Sequence, residues 1–217
     1  GEWGPGDAIP SEGELAARFN VSQGTVRKAI DEMASENLLT RRQGKGTFVA
    51  SHDDPRSHYR FLRLVPDDDS VEEAVSVPLS CSPQKAGEQV ARVLGIGAGD
   101  SVLYVERLLR FNDEPVVFDQ IYLVADLFQG LTMERLSNET RSLYSLFEND
   151  FGVRMILAEE RLRAVSADPR CAELLAVAPG APLLLVERTA YSYGNKPVEW
   201  RRGFYSTKRH HYRNDLG

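Results

Sequence analysis

The sequence has little cysteine and no spacing of residues that would hold a metal. Its only cysteines are Cys81 and Cys171, which lie far apart in 217 residues. This excludes a small secreted domain held by disulfides and a zinc site of closely spaced thiols, and we expect both thiols to stay reduced in the cytoplasm. The dipeptide His210-His211 near the C-terminus is not interpreted as a metal site, because a surface pair of this kind usually binds none.

Long apolar runs and an excess of basic residues are also missing. No apolar stretch approaches the length of a membrane span, and no signal-peptide segment is present, which again favours a cytoplasmic protein. The formal net charge is -6, so nucleic acid could be bound only by a local cluster of cations. We find no nucleotide-binding glycine loop and no nucleophile–base pair, and therefore predict no catalytic residue and no cofactor.

The first fifty residues have the pattern of a small helical unit. Ser11 and Glu14 form a capping box that starts one helix, and Asn20 suits the left-handed conformation at its end. Ser22 caps a second helix, whose apolar residues recur at helical spacing. Two helices joined by so short a connector must cross steeply, as in a helix-turn-helix. The first helix is expected to bury Leu15, Ala16 and Phe19.

A short hairpin follows the two helices. Glycines flank Lys45 between strands predicted at 38–42 and 47–49, which indicates a tight turn with a basic tip, a "wing". On an isolated helix, Arg27 and Lys28 would be interpreted as a solvated face. The order of helix cap, short turn and wing favours DNA binding instead. The candidate DNA-binding residues are Ser11, Ser22, Gln23, Thr25, Arg27, Lys28, Arg41, Gly44, Lys45 and Gly46.

Several short motifs occur in a fixed order in this first domain. They are Pro5-Gly6, Ile9-Pro10-Ser11-Glu12, Leu15-Ala16, Val21-Ser22, Thr25-Val26-Arg27-Lys28-Ala29 and the stretch from Gly44 to Val49. Together they resemble the winged helix-turn-helix of the GntR family of bacterial transcription regulators. The chain departs from the family pattern at Gly13, Gln23 and Gly24, which bears on the operator sequence. We expect the family's first helix to be missing from the domain at residues 1–50.

A linker and a connecting strand are predicted over residues 51–74, and a second domain over 75–217. Asp53, Asp54 and Pro55 argue against a helix between the domains, and residues 59–65 alternate as in a strand. Further on, hairpin signals alternate with helices, which predicts a mostly antiparallel α+β domain. Helices are expected at 83–94, 142–151 and from Asp168-Pro169 to before Pro179. Strands are expected at 102–111, 116–123, 154–165, 183–191 and 198–205.

Two charges fall among apolar residues of the predicted strands. Arg107 and Asp119 each share one side of a strand with apolar neighbours, and an unpaired buried charge is costly. They either pair with each other or with Glu199 as a structural bridge, or they line a cavity and bind a polar ligand. The strand pattern alone does not decide between these two interpretations.

The motifs of the second domain resemble those of the UTRA effector-binding domain. The resemblance rests on Ala91-Arg92-Val93-Leu94-Gly95, Gly99-Asp100, Glu106-Arg107-Leu108, Pro115, Asp119, Tyr122, Ser142-Leu143-Tyr144, Pro182-Leu183-Leu184 and Pro197-Val198-Glu199. In the HutC subfamily that domain follows the GntR-type winged helix, and its fold is like that of chorismate lyase. The resemblance therefore implies an effector pocket, with the candidate residues Arg107, Asp119, Ser142, Tyr144, Glu199 and Tyr205.

The resemblance also bears on the class of effector. Members of the family commonly have a second arginine, two residues after the position of Arg107, that assists phosphate binding. In this chain that position is Leu109, and Arg110 lies on the opposite face of the strand. This implies a carboxylate or an amino-acid-like molecule rather than a phosphosugar. Ser142 and Tyr144 could equally be an ordinary helix cap and a buried aromatic, and Arg201 is interpreted as structural or solvated.

The leading hypothesis is a DNA-binding transcription regulator, a repressor, controlled by a small acidic metabolite. It would bind a palindromic operator as a homodimer, with two recognition helices one turn of DNA apart. One alternative is a lyase acting on an aromatic acid, although a fold alone does not imply chemistry. Another is a winged helix that docks on protein, which would show no salt-dependent affinity for DNA.

Overall fold

The structure, a computed structural model, describes residues 2–53 and 62–214. The chain divides into two compact units, residues 1–58 and 59–217. The predicted linker residues 54–61, including the start of the connecting strand, lie outside the described residues.

The first unit contains two helices and a hairpin. Its elements are α1 (Glu12–Phe19), α2 (Gln23–Ser35), β1 (Leu39–Arg42) and β2 (Gly46–Val49). The capping box of Ser11 and Glu14 is confirmed, and Asn20 ends α1 in the left-handed conformation at φ 53°. Ser22 caps α2 by accepting a hydrogen bond from the Thr25 backbone N–H. Local sequence signals therefore define both ends of the turn between the helices.

Burial in the first unit differs from the prediction at one aromatic residue. Leu15, Ala16, Val26, Ile30 and Leu39 form its core. The prediction that Phe19 is buried was wrong, since the residue is 59% exposed in the last turn of α1. The Arg18 guanidinium lies 5.5 Å from the Phe19 ring centre, so the ring is covered in part by a cation rather than by the core.

The second unit is built on a six-stranded antiparallel sheet. The strands are β4 (Ala74–Lys85), β5 (Ser101–Phe111), β6 (Glu114–Val124), β7 (Leu157–Ser166), β8 (Pro182–Ser192) and β9 (Lys196–Tyr205), in the order β4-β5-β6-β9-β8-β7. A separate pair joins β3 (Leu64–Pro66) to β10 (His210–Tyr212). The helices are α3 (Glu88–Leu94), α4 (Met133–Ser137), α5 (Leu143–Phe151) and α6 (Pro169–Leu174). The predicted α+β class is confirmed.

Both faces of the sheet are covered. On one, here the front face, α4 and α5 pack on the apolar residues of β5 and β6, beside the β3–β10 pair. On the opposite, back face, α3 packs near Trp200 and α6 packs near Phe118. Side chains alternate between the faces, so a charged residue on the front face is placed under α4, α5 or the β3–β10 pair.

The predicted helix at 83–94 was wrong in its first half. Residues up to Lys85 continue β4, with Pro83 paired opposite Leu103, and the helix begins only at Glu88 after Gly87. Proline is tolerated here because β4 is an edge strand, where a missing N–H breaks no ladder bond. The strand β3, which lies within the segment predicted as linker and connecting strand, is part of the core of the second unit. Its Leu64 packs with Leu109 and Phe111.

Candidate nucleic-acid and effector sites

The exposed side of α2 presents the predicted DNA-binding side chains. Gln23, Thr25, Arg27 and Lys28 are all exposed, while Val26 on the same helix is buried. The Ser22 and Thr25 hydroxyls lie 2.9 Å apart at the start of the helix, where the backbone N–H groups point outward. This end of α2 can therefore offer hydroxyl, amide and guanidinium donors to one partner.

Arg27 is held by a carboxylate of its own unit and is still accessible. Its Nε and Nη2 both donate to Oε2 of Glu12, at 3.0 and 2.8 Å. The Arg27 side chain is 61% exposed. The hydrogen bond from Arg27 is the main reason that the pKa of Glu12 is lowered. The guanidinium is thus oriented by Glu12 without being covered.

The remaining predicted DNA-binding residues lie at the start of α1 and on the wing. Arg41, at the base of the hairpin, pairs with Asp31 at 2.7 Å. Gly44 and Gly46 have φ of 69° and 110°, which glycine adopts without strain, and Lys45 is exposed between them. Ser11 is exposed, but its hydroxyl donates to Glu14 within the capping box. The wing therefore presents one exposed cation at its tip.

On the front face of the second unit, Arg107 and Asp119 are paired. They face each other across β5 and β6, and Nε and Nη2 of Arg107 both lie 2.9 Å from Oδ2 of Asp119. Both residues are buried. Burial, and then the nearby Arg201, lower the pKa of Arg107, but a guanidinium remains protonated at neutral pH. The structural bridge considered from the sequence is therefore present.

The pair continues into a chain of charged hydrogen bonds. Nη1 of Arg201 donates to the same Oδ2 of Asp119 at 3.2 Å, and its Nε and Nη2 donate to the two oxygens of Glu199 at 3.0 Å. The Tyr144 hydroxyl donates to Oε1 of Glu199 at 2.9 Å. Burial is the main cause that raises the pKa of Tyr144 to about 12, so the hydroxyl stays protonated. The chain connects β5 to the first turn of α5.

The other two predicted effector residues have different positions. Ser142 is half-buried and caps α5, accepting from the Ser145 N–H at 3.1 Å. Tyr205 is 2% exposed on the front face, and burial is the main cause that raises its pKa to about 12. The ordinary cap considered for Ser142 is therefore present, as is the buried aromatic considered for Tyr144.

Arg107 borders a cleft that is almost closed. The lining residues are Ser76, Pro78, Val105, Arg107, Leu136, Glu139, Arg141 and Leu143, and the cavity volume is ≈ 10 Å³. That volume suits about one water molecule. Within this lining, Arg141 makes ion pairs with Glu139 and, beyond the lining, with Asp150. A metabolite could enter beside Arg107 only if lining residues moved.

A larger open cavity shares one lining residue, Glu139, with this cleft. Its volume is ≈ 460 Å³, and its lining includes Glu134, Glu139 and Asp150 but only one cation, Arg135. Three carboxylates disfavour an acidic ligand. None of the predicted effector residues lines this cavity, so its size alone does not make it the effector site.

Sequence reasoning missed one buried arginine of the front face, Arg188, and left the role of another, Arg201, open. Arg201 was interpreted as structural or solvated and is 5% exposed, at the centre of the hydrogen-bonded chain. Arg188, 3% exposed, pairs with Glu160 on the neighbouring strand at 2.6 Å. The signal was available, because Arg188 alternates with apolar Val186 and Ala190 in the same way that Arg107 alternates with its neighbours.

Within residues 2–53 and 62–214, no group of three or more His, Cys, Asp or Glu side chains is arranged to hold a metal ion. The helices in the same ranges are all too short or too polar to cross a membrane. His210 and His211 instead contact Glu72 and Asp67, at 2.9 and 3.0 Å.

Comparisons with known proteins match both units. Residues 1–49 match the family model described as bacterial regulatory proteins, gntR family, and residues 72–211 match the UTRA domain. The chain is 34% identical to the HTH-type transcriptional regulator Rv0792c of Mycobacterium tuberculosis, over 89% of this chain and 72% of that protein. It is 27% identical to the HTH-type transcriptional repressor NagR of Bacillus subtilis, over 100% of this chain and 89% of that protein.

A solved structure matches the second unit at higher identity. It is the ligand-binding domain of a GntR-family transcriptional regulator from Bordetella bronchiseptica, with a TM-score of 0.72 and 46% identity. The match covers 74% of this chain and 99% of that chain. These matches are transcription regulators, not enzymes.

Proposed function

Because the chain belongs to the GntR family of bacterial regulatory proteins and carries a UTRA domain, we propose that it is a repressor controlled by a small acidic metabolite. GntR-family regulators bind DNA, and UTRA domains bind small-molecule effectors. In this proposal the chain acts in the cytoplasm as a homodimer, and its two recognition helices bind a palindromic operator. NagR of Bacillus subtilis, matched over the whole chain, is named a repressor, which supports the sign of regulation.

The DNA half of the proposal is supported by α2. Its first turn combines the backbone N–H groups of a helix start, of which that of Thr25 is capped by Ser22, with exposed polar side chains, and Arg27 follows one turn later. A guanidinium can bind guanine through two hydrogen bonds in the major groove, and hydroxyls and N–H groups can bind phosphates. The 61% exposure of Arg27 is the observation that supports this half most directly.

The effector half is supported by the buried charges of the front face. Arg107 borders the cleft, and its Nη1 has only one long hydrogen bond, to the Ser76 hydroxyl at 3.4 Å. Arg201, in contrast, uses Nε, Nη1 and Nη2 on Glu199 and Asp119. Of these two buried arginines, Arg107 has a donor left for a carboxylate, which favours a single acidic group over a phosphosugar.

Control of DNA affinity would follow from the closed cleft. A metabolite that binds beside Arg107 must displace the wall formed by Glu139 and Arg141, which lies just before α5. The effector would therefore favour the population of molecules with an open wall. In the dimer that population would hold its winged units at the wrong spacing for the operator, which lowers DNA affinity.

The test is operator binding by the parent chain, Arg27→Ala and Arg107→Ala. Arg27→Ala should weaken operator binding about tenfold or more, the effect of losing one two-bonded base contact. Arg107→Ala should bind operator as the parent does but no longer respond to carboxylate metabolites, titrated by calorimetry. Unchanged operator binding by Arg27→Ala would contradict the recognition-helix assignment. Tight binding of a sugar phosphate by the parent would contradict the proposed effector class.

A further inference from the structure

The first turn of α1 contacts the side chains of α2 that face outward. Two neighbouring residues make these contacts, and each reaches a different residue of the second helix. Glu12 binds the Arg27 guanidinium, and Gly13 lies against the Gln23 amide. Gly13 and Gln23 are also two of the three positions at which the sequence departs from the GntR pattern.

Glu12 occupies one edge of the Arg27 guanidinium and leaves the other open. Nε and Nη2 share Oε2 of Glu12, while Nη1 donates no hydrogen bond to any residue in the described ranges. A guanidinium binds two acceptors through a pair of neighbouring nitrogens. The edge formed by Nη1 and Nη2 is therefore held outward, in the geometry that binds O6 and N7 of guanine.

Gly13 leaves the space in which the Gln23 side chain lies. A Cβ at position 13 would be only 3.2 Å from Nε2 of Gln23. Any larger side chain at this position would have to push the amide away. A glutamine amide binds N6 and N7 of adenine through two hydrogen bonds, so its direction decides whether that contact is possible.

The two side chains are spaced for neighbouring bases. Gln23 and Arg27 are four residues apart and lie on the same side of α2. Their separation along the helix axis is about 6 Å, close to two base steps of about 3.4 Å. One half-site could therefore present an adenine to Gln23 and a guanine to Arg27.

We propose that Glu12 and Gly13 are positioning residues that set the base preference of this chain. Glu12 holds Arg27 with one edge open to guanine, and Gly13 leaves the Gln23 amide free to reach adenine. The proposal rests on the DNA-binding function proposed above. It gives Glu12 two opposite effects, because its carboxylate orients one cation and also repels the phosphates that the neighbouring cations would neutralise.

The test selects duplexes from a random pool with the parent chain, Glu12→Gln and Gly13→Val. Parent sites should contain a guanine and an adenine about two steps apart. Glu12→Gln should reduce the preference for that guanine about tenfold, keep the adenine, and bind random DNA at least as tightly as the parent. Gly13→Val should lose the adenine and keep the guanine. The affinity of each chain is then measured at two salt concentrations for its selected site, for that site with single bases substituted, and for random duplexes.

Glu32→Gln is the matched control. It removes one acidic charge from an exposed position on α2, and Glu32 makes no ion pair within the described part of the chain. Its base preferences should equal those of the parent. Unchanged guanine preference in Glu12→Gln, or an equal loss of specific and random binding, would overturn the proposal. Failure of the parent to bind any duplex would instead overturn the proposed function.

Discussion

At Gly203, on β9, the packing of the front face leaves no room for a side chain. A Cβ there would lie 2.5 Å from Cε1 of Tyr205 and 2.9 Å from Oδ1 of Asp119. The Tyr205 ring lies along its own strand in the space that this glycine leaves. The absence of one methyl group thus fixes the position of two predicted effector residues.

Gly203→Ala should therefore destabilise the second unit by about 1–3 kcal/mol, because an overpacked core must shift its side chains. It should also weaken effector binding, since Tyr205 and Asp119 both have to move. Urea denaturation and calorimetry measure the two effects. Gly87→Ser is the control, because a Cβ at Gly87 meets nothing within 4 Å and serine is a good N-cap. Equal stabilities of Gly203→Ala and the parent would contradict the packing argument.

Strand alternation predicted which residues share the front face, but not which of them are partners. From the sequence, Arg107 and Asp119 were placed among apolar neighbours, and Glu199 and Tyr205 were assigned to the effector site through the family resemblance; all four are buried. Their partners depend on the register between strands that are distant in sequence, such as Asp119 opposite Gly203. Arg201 contacts Glu199 two residues away on its own strand, but it reaches Asp119 only because β6 and β9 are adjacent, and no local pattern contains that fact.

At the scale of elements, the cap of α6 was predictable from the sequence and its length was not. Asp168 caps α6 as expected, accepting from the Cys171 backbone N–H at 2.7 Å. That hydrogen bond is the main cause that lowers the pKa of Asp168. The helix then ends at Leu174, before Ala176 with φ of 50°, rather than continuing towards Pro179. The end is set by the packing of Leu175 against the back face, which the sequence pattern does not contain.

Asp168→Ala should reduce the stability of the second unit by about 1 kcal/mol at pH 7, the usual value of an N-cap. Because the folded pKa of Asp168 is lowered, its contribution is present above the unfolded pKa of about 3.9 and disappears as pH falls through the folded value. The difference between Asp168→Ala and the parent should therefore narrow below about pH 4.

Asp168→Asn separates the cap from the charge. Asparagine caps as well as aspartate and does not titrate, so this variant should match the parent at pH 7 and lose less stability in acid. Urea denaturation at pH 7 and at several pH values below the unfolded pKa of about 3.9 measures all three chains. A difference between Asp168→Ala and the parent that stays constant down to the lowest of these pH values would contradict the assignment of the charged cap.

At the scale of the whole molecule, the interface proposed for DNA does not lie on a unit with net positive charge. Residues 1–50 hold six Lys or Arg and seven Asp or Glu, so even the winged unit is not basic overall. Several of its cations are paired with acids, as Arg41 is with Asp31. Affinity for DNA must then come from a few exposed donors, among them Lys45 at the tip of the wing.

Lys45→Ala should reduce the salt dependence of operator binding. The logarithm of affinity falls with the logarithm of salt concentration by about 0.9 for each phosphate that is neutralised. Loss of one Lys45–phosphate contact should lower the slope by that amount, and loss from both protomers of a dimer by about 1.8. The measurement is operator titration at several salt concentrations.

The size of the change in this slope thus distinguishes one bound wing from two. A control variant tests whether loss of any exposed cation has the same effect. Lys85→Ala removes an exposed cation of the second unit, at the end of β4, and should leave the slope unchanged. An unchanged slope in Lys45→Ala would remove the wing from the DNA interface while leaving α2 in place. Affinity without any salt dependence in the parent would instead favour a winged unit that docks on protein, because phosphate contacts always release counterions.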